Sequence, residues 1–196
     1  MTSANGGDFD LTMDELRAVV RFATDCAESL LPDFEAEAPE DSRPREALNA
    51  ARAFAEGATR TNLQRKAAFA AHRAAQSVSA ETAQLAALAC GDAAASAYLH
   101  PIAQATQVGH ILRAAACAAR VAELRAGDDG TTGSDSVSIL AERATSPVPD
   151  VLRRYPAAPQ GRSRLSQLMS ALDTAIRHGH ADLRTGTARR NHAPRT

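Results

Sequence analysis

The sequence predicts an all-α protein, a single bundle of about seven helices with a central helical hairpin. Alanine makes up close to a quarter of the 196 residues, while Trp is absent and only 4% of the residues are aromatic. Alanine is the strongest helix former and a weak strand former. This composition favours helices that pack closely through small side chains, and it argues against an all-β or a parallel α/β fold.

The first helix is predicted to begin at Thr12. Thr12 and Glu15 have the spacing of a capping box, in which each side chain binds the backbone N–H of the other residue. Apolar residues then recur at helical spacing from Leu16 to Leu30, so one face of this helix is expected to be buried. Pro32 is expected to end it.

Two further helices are predicted after an acidic segment, residues 34–41, which is interpreted as a loop. Pro44 suits the first turn of the second helix, and Gly57 provides its C-terminal stop. The third helix covers about residues 61–78, and the spacing of its apolar residues places Leu63 on the buried side.

The most apolar part of the chain predicts the central hairpin. The fourth segment, about residues 80–99, is apolar nearly all round, which is typical of a helix surrounded by other helices. Ser79 is its predicted cap, and Pro101 breaks the chain after it. The fifth segment, about residues 102–125, is again strongly apolar, so these two helices are expected to pair.

The C-terminal third shows weaker patterns. Residues 127–138 are rich in Gly, Asp, Ser and Thr and are interpreted as a flexible loop. Short helices are expected over 137–144 and around 151–155, and a last amphipathic helix from Leu165 to Ile176. The predicted organisation has three parts: a flexible leader over 1–10, a helical domain over 11–178 and a disordered basic tail over 179–196.

Cys26, Cys90 and Cys117 lie far apart in apolar helical patterns. They are interpreted as small buried hydrophobic residues rather than as zinc ligands or disulfide partners. No stretch reaches about 20 uninterrupted apolar residues, and the first ten residues contain no apolar run. Neither a membrane span nor a signal peptide is predicted, and the protein is expected to be cytoplasmic.

The familiar enzyme signatures are absent from the sequence. It contains no GxSxG, HExxH or GxGxxG motif, and the segment 57–61 lacks the second glycine and the GK[ST] end of a phosphate loop. We therefore expect no catalytic residue, no metal site and no cofactor. The net charge is −1 and the basic tail has no interleaved aromatic residues, so no specific nucleic-acid binding is expected.

One face of the fifth segment carries a polar stripe at spacings of three or four residues: Thr106, Gln107, His110 and Arg113. His100 precedes the stripe at the break between the two central segments. His100, Gln107 and His110 are candidates to line a binding groove. Alternatively, the stripe is the solvated side of its helix.

Asp92 lies in the most apolar predicted helix, where an unpaired carboxylate would be costly. It therefore requires a partner or an opening to water. The candidate partners on neighbouring helices are Arg43, Arg45, His72 and His100. Such a pair either belongs to a binding cavity or is a structural ion pair.

Residues 41–45 have the sequence Asp-Ser-Arg-Pro-Arg and precede a predicted helix, which Asp41 or Ser42 can cap. Arg43 and Arg45 thus place two guanidinium groups near a helix N-terminus, an arrangement that suits a carboxylate or a phosphate. Alternatively, these arginines pair with the acids of their own loop.

Five short segments occur in an order known from one protein family: 11–16 (LTMDEL), 41–47 (DSRPREA), 67–72 (AAFAAH), 98–101 (YLHP) and 105–111 (ATQVGHI). From about residue 11 to residue 176, the chain resembles the actinobacterial branch of the Imm-5-like putative immunity proteins. The resemblance implies an all-helical cytosolic domain that binds and neutralises a toxin of a polymorphic toxin system. It also maps family motif positions onto candidate residues: Asp41, Arg43, Arg45, His100, Thr106, Gln107 and His110.

Three functional hypotheses follow. The first is a non-enzymatic protein that binds a partner protein, a toxin, with the acidic segment 35–41 and the neighbouring arginines as contact candidates. The second is a small-ligand-binding or hydrolytic domain with one cavity lined by polar residues: His72, Asp92, His100, Gln107 and His110. The third is an assembly module that only forms a homodimer.

Overall fold

The computed structural model describes residues 8–179 and contains, within this range, nine α-helices and no β-strand. The all-α prediction is confirmed, with nine helices where about seven were expected. They are numbered in chain order: α1 (Met13–Glu28), α2 (Leu31–Glu37), α3 (Arg43–Ala55), α4 (Asn62–Ala74), α5 (Glu81–Ala95), α6 (Val108–Arg125), α7 (Gly130–Arg143), α8 (Val148–Arg153) and α9 (Arg164–His178).

Helices α5 and α6 form the predicted hairpin at the centre of the bundle. Helix α5 packs against α6 and also against α1, α2, α3 and α4, while α6 contacts α1, α7 and α9. Ten of the fifteen residues of α5 are buried, and six of these are alanine. Because small side chains allow neighbouring helix axes to approach closely, α5 can be surrounded by five other helices.

Most of the predicted leader and tail lies outside the described residues, which include only residues 8–10 of the leader and Gly179 of the tail. The Asp8 carboxylate accepts a hydrogen bond from the backbone N–H of Ala103 at 2.6 Å. The Phe9 ring packs edge-on against Tyr155, with 4.9 Å between ring centroids. These contacts attach the start of the described chain to the connection between α5 and α6 and to the residues after α8.

Helix α1 begins with the predicted capping box. The backbone N–H of Thr12 donates to Glu15 Oε2 at 2.8 Å, and the backbone N–H of Glu15 donates to Thr12 Oγ1 at 3.2 Å. Arg154, the residue after α8, donates to the same carboxylate, and this hydrogen bond lowers the pKa of Glu15 to about 2. The cap of α1 therefore also holds α8 against the start of the domain.

The prediction of a loop over residues 34–41 is wrong for its first part, because α2 occupies Leu31–Glu37. Pro32 does not terminate α1 but lies in the first turn of α2, where a missing N–H has no consequence. The Leu31 and Phe34 side chains are buried in the core. Their burial stabilises a short helix that the acidic composition concealed.

The predicted cap of α5 is also wrong. Ala80 precedes the first turn of α5, no side chain caps this helix, and the Ser79 hydroxyl group donates to Glu37 instead. The Glu37 carboxylate of α2 binds the residues just before α5, since the backbone N–H groups of Ser79 and Ala80 donate to it at 2.6 and 3.1 Å. These hydrogen bonds hold the pKa of Glu37 below its usual value.

Residues 127–138 do not form the predicted flexible loop, because α7 begins within them at Gly130. The Asp129 carboxylate caps this helix by accepting two backbone N–H groups of the first turn, at 3.1 and 3.3 Å. Val137 is buried against the core, so the polar residues of the segment form the outer side of a helix.

Glu123 of α6 is only 1% exposed and joins α6 to α7 and α9. It accepts hydrogen bonds from Arg164 at 2.9 Å and from Arg120 at 3.1 Å. Burial by itself raises the pKa of Glu123, but the two guanidinium groups outweigh burial and hold the pKa below its usual value. Gly133 of α7 lies against this carboxylate, where a Cβ atom would overlap it.

The three cysteines are free and buried, as predicted. Burial raises the pKa of Cys26 and the pKa of Cys90 to about 12, and it also raises the pKa of Cys117. A reactive cysteine requires a lowered pKa and access to solvent. These residues therefore act as small core side chains.

We predict that Gly133→Ala lowers the free energy of unfolding by about 1–3 kcal/mol, because the added methyl group overlaps the Glu123 carboxylate. In an unhindered helix the same change stabilises by up to about 1 kcal/mol. Gly130→Ala is the matched control, since its nearest neighbouring atom would be 3.8 Å from the new Cβ. Urea unfolding measures both, and a Gly133→Ala variant as stable as the wild type would contradict this packing.

Candidate functional site

A cavity of about 220 Å³ lies between α4, α5 and α6. Its apolar wall is formed by Phe69, Tyr98 and two alanines. Its polar wall combines residues from all three helices: Arg65, His72, Asp92, His110 and Arg113. Three residues that the sequence analysis proposed for one cavity, His72, Asp92 and His110, are thus brought together.

Asp92 of α5 is the buried centre of the site, with only 5% of its side chain exposed. Its Oδ1 atom accepts a hydrogen bond from Arg113 Nη1 at 3.1 Å and lies 3.3 Å from His72 Nε2. Removing an ionised carboxylate from water is costly unless it is paired. Arg113 and His72 offset this cost, and in doing so they connect α6 and α4 to the central helix.

Two buried polar atoms in the described part of the cavity have no hydrogen-bond partner: Asp92 Oδ2 and His72 Nε2. The approach of His72 Nε2 to Asp92 Oδ1 is an electrostatic contact without hydrogen-bond geometry. Buried polar atoms in folded proteins are nearly always hydrogen-bonded. The floor of the cavity therefore retains the capacity to form two more hydrogen bonds.

Glycines lie beneath both side chains that contact Asp92. A Cβ atom at position 91 would lie 2.6 Å from His72 Nε2 and 3.1 Å from the backbone oxygen of Ala68. The second obstacle is backbone, so Gly91 is what allows α4 to lie this close to α5. A Cβ atom at Gly109 would lie 2.5 Å from Arg113 Nη2, so Gly109 allows the Arg113 side chain to fold back along α6.

His110 lies on the α6 side of the cavity. The Ser96 hydroxyl group lies 2.6 Å from the backbone oxygen of His110 and 2.8 Å from that of Asp92, and it links the two helices at this point. Burial lowers the pKa of His110 below its usual value of 6.5, and the nearby positive charge of Arg113 lowers it further. The ring is therefore neutral at pH 7, with one donor and one acceptor nitrogen.

The rim of the cavity carries the guanidinium groups of Arg65 and Arg113. Away from the rim, the outer side of α4 adds Lys66 and Arg73, and this helix carries no carboxylate. Arg65, Lys66 and Arg73 form no ion pair within residues 8–179. Arg65 instead lies over the Tyr98 ring, 4.4 Å from its centroid. Phe69 projects from the same face and is 59% exposed.

His100 and Gln107, which were proposed for the cavity, do not line it, and neither does Thr106 of the polar stripe. The stripe was predicted on a helix from about residue 102, whereas α6 begins at Val108, so only His110 and Arg113 of the stripe reach the site. Gln107 Oε1 accepts the backbone N–H of His100 at 3.0 Å, and Thr106 is exposed. These residues shape the turn that leads into α6.

Asp41, Arg43 and Arg45 lie away from the cavity, at the start of α3. Arg43 Nε donates to Asp41 at 2.8 Å, and hydrogen bonds from Arg43 hold the pKa of Asp41 below its usual value. Arg45 Nε and Nη2 each donate to Glu35 of α2 at 2.6 Å. The arginines thus pair with acids of their own region, which is the alternative that the sequence analysis left open.

Sequence reasoning did not assign Arg65, Phe69 or Tyr98 to the site. Arg65, Phe69 and His72 are spaced by four and three residues, so they share one face of α4, and this spacing was an available signal. Tyr98 depends on a 3₁₀ turn after α5 (Ser96–Tyr98), which no sequence motif marks. Arg113 was recognised as part of the polar stripe but not as the partner of Asp92.

We predict that the imidazole of His110 titrates below pH 6.5, because burial and Arg113 disfavour its charged form. The unfolded chain then binds this proton more readily than the folded chain, so the associated stability is present above about pH 6.5 and is lost as the pH falls below it. An NMR titration of the imidazole signals measures the midpoint, with His110→Gln to assign the resonance. A midpoint at or above 6.5 would show that the ring is not desolvated.

Within residues 8–179, no set of three His, Cys, Asp or Glu side chains is placed to hold a metal ion. None of the helices there combines the length and apolar character needed to cross a membrane.

The model of the Imm-5 like putative immunity protein family matches residues 10–146. No curated protein and no solved structure matches the chain. The matched range contains α1 to α7, and with them every residue of the cavity and its rim, while α8 and α9 lie beyond it. Since this match covers well over half of the chain and confirms the resemblance seen in the sequence, the protein belongs to the Imm-5 like putative immunity protein family.

Proposed function

We propose that this protein is an immunity protein that binds a toxin in the cytoplasm and neutralises it by covering it, without catalysis. Membership of the family supports the general role. We further propose that the toxin contacts the outer face of α4, here called the α4 face and defined by five residues: Leu63, Arg65, Lys66, Phe69 and Arg73.

We choose this surface because α4 has small side chains on its buried side and large apolar side chains on its exposed side, the reverse of the usual distribution. The buried side of this helix consists of Gln64 and four alanines. Its large apolar residues are outside, and Leu63 and Phe69 are 58% and 59% exposed. They are two of the four large hydrophobic residues that are exposed in the described chain. The prediction that Leu63 is buried is therefore wrong. Large apolar side chains that are exposed beside charged residues are typical of interaction sites.

The charge of the α4 face indicates the chemistry of the partner. Arg65, Lys66 and Arg73 lie on the same exposed side of α4 as the apolar residues, whereas the whole chain has a net charge of −1. The positive potential is therefore local to this face. A toxin surface that presents Asp and Glu side chains around an apolar patch fits it, since complementary charges accelerate association and disfavour other partners.

The shape of the α4 face also suits a protein partner. On one side it borders the His72 cavity, and on the other a groove of about 470 Å³ between α3 and α4, which Leu63 and Lys66 help to line. Side chains of a partner can enter these depressions on either side of Phe69. By contrast, the charges at the start of α3 are already paired with one another, which makes Arg43 and Arg45 weaker contact candidates.

The composition of the cavity supports binding rather than catalysis. No Ser, Thr or Cys contributes to its lining, and the Tyr98 hydroxyl group donates to the backbone oxygen of Thr61 at 2.7 Å. Neutralisation by covering a toxin requires surface complementarity and not a reactive group.

We predict that Phe69→Ala weakens binding to the cognate toxin by at least about tenfold, because an aromatic side chain at the centre of an interface contributes about 2 kcal/mol or more. Ile139→Ala is the matched control: Ile139 is 52% exposed but lies on α7. Isothermal titration calorimetry with the purified toxin domain measures the affinity, and growth of toxin-expressing cells measures protection.

The outcomes of this experiment separate the two parts of the proposal. If the wild-type chain neither binds nor protects, the immunity function is wrong. If it protects, but Phe69→Ala binds as tightly as Ile139→Ala, the immunity function stands and the α4 face is the wrong surface.

We also predict that Lys66→Glu, which reverses one charge of the α4 face, slows association with the toxin. Arg162→Glu is the control, because it reverses an exposed charge outside this face and should slow association less. The difference between the two variants in association rate should shrink at high salt.

A further inference from the structure

The cavity beside the α4 face has features that protein docking does not require. Asp92 is 95% buried, because only 5% of its side chain is exposed, and both of its partners approach the same atom, Oδ1. Its second oxygen and His72 Nε2 are buried without a hydrogen bond. A carboxylate needed only as a structural anchor would be expected to use both oxygens, since unsatisfied buried acceptors are costly.

A hydroxyl group matches the two unpartnered atoms. It is a donor and an acceptor at once, so it can donate to Asp92 Oδ2 and accept from His72 Nε2 when that nitrogen carries its hydrogen. A carboxylate or phosphate oxygen without a proton cannot donate to Asp92, and an ammonium group cannot accept from His72. The floor of the cavity therefore favours a hydroxyl-bearing ligand.

The mouth of the cavity favours an anion. Arg113 lies at its edge with 44% of its side chain exposed, and it uses Nη1 to bind Asp92. Arg65 lies over the Tyr98 ring and has no ion-pair partner within residues 8–179. Two guanidinium groups at one opening suit a carboxylate or a phosphate.

The volume shows what can fit inside. A cavity of about 220 Å³ holds roughly seven water volumes. This is enough for a molecule of three or four carbons that carries one anionic group. The walls between floor and mouth are formed by Ala68, Ala95 and Phe69, which accommodate a short carbon chain.

We propose that this cavity is a binding site for a small hydroxyl-bearing anion, with the hydroxyl group between Asp92 and His72 and the carboxylate or phosphate between Arg65 and Arg113. The ligand class is a short hydroxycarboxylate or the phosphomonoester of a short polyol. The site requires no toxin, so it can be tested on the isolated chain and stands or falls independently of the immunity function.

Four probes test the hydroxyl position and the anion position of the site separately. Lactate and propionate differ only in the hydroxyl group, while glycerol 3-phosphate and glycerol differ only in the anion. NMR titration of the full chain follows the imidazole signals of His72 and His110, with His178 at the end of α9 as a reference outside the cavity. We expect saturable shifts of the two cavity signals with lactate or with glycerol 3-phosphate, and affinity lower by about tenfold or more for the matched probe that lacks one group.

Variants at the rim test the assignment of residues. Arg65→Gln should weaken binding of the better probe by about tenfold, because it removes one charge-assisted contact from an exposed residue. Arg73→Gln is the matched control, since it removes an equally exposed and unpaired charge from the same helix but does not line the cavity.

Three results would overturn the site. The first is the absence of any His72 or His110 shift with either hydroxyl-bearing anion, which would leave only water in the cavity. The second is a binding pair in which the two probes have the same affinity: propionate as tight as lactate, or glycerol as tight as glycerol 3-phosphate. The third is equal weakening by Arg65→Gln and Arg73→Gln, which would mean that the probes respond to the general charge of the α4 face.

Discussion

The ion pair between Asp92 and Arg113 holds the candidate site together, because it allows a carboxylate to lie inside the most apolar helix of the bundle. Burying that charge without a partner would be costly. Arg113 comes from α6, and His72 adds a second contact from α4, so one carboxylate fixes the positions of side chains on two neighbouring helices. The cavity is the space left where these three helices meet around it.

Small side chains make this arrangement possible. Alanine and glycine on the inner surfaces of α4 and α5 bring the two helices close enough for His72 to reach Asp92, and a Cβ atom at Gly91 would meet both His72 and the backbone of α4. The small residues on the inner side of α4 also explain which of its side chains face outward. Because the inner side of α4 is filled by alanines, Leu63 and Phe69 face outward and give this helix an exposed apolar surface among unpaired cations.

The fold and the central hairpin could be predicted from the sequence, since helix propensity, the Thr12 capping box and the apolar fourth and fifth segments are local signals. The hydrogen bonds from Ser79 and Ala80 to Glu37 and the packing of Gly133 on Glu123 could not, because each joins residues distant in sequence. The sequence also indicated that Asp92 needs a partner and named His72 as one candidate. It could not identify Arg113 as the other, since this contact depends on how α5 and α6 pack against each other.

A double-mutant cycle between Asp92 and Arg113 tests this account most directly. Asp92→Asn, Arg113→Gln and the double variant are unfolded in urea, and the coupling energy is obtained from the three differences in the free energy of unfolding. If the pair holds α5 and α6 together at the site, the coupling energy is favourable by about 1–2 kcal/mol. Effects that add to within about 0.3 kcal/mol would show that the two side chains act independently and would contradict the account.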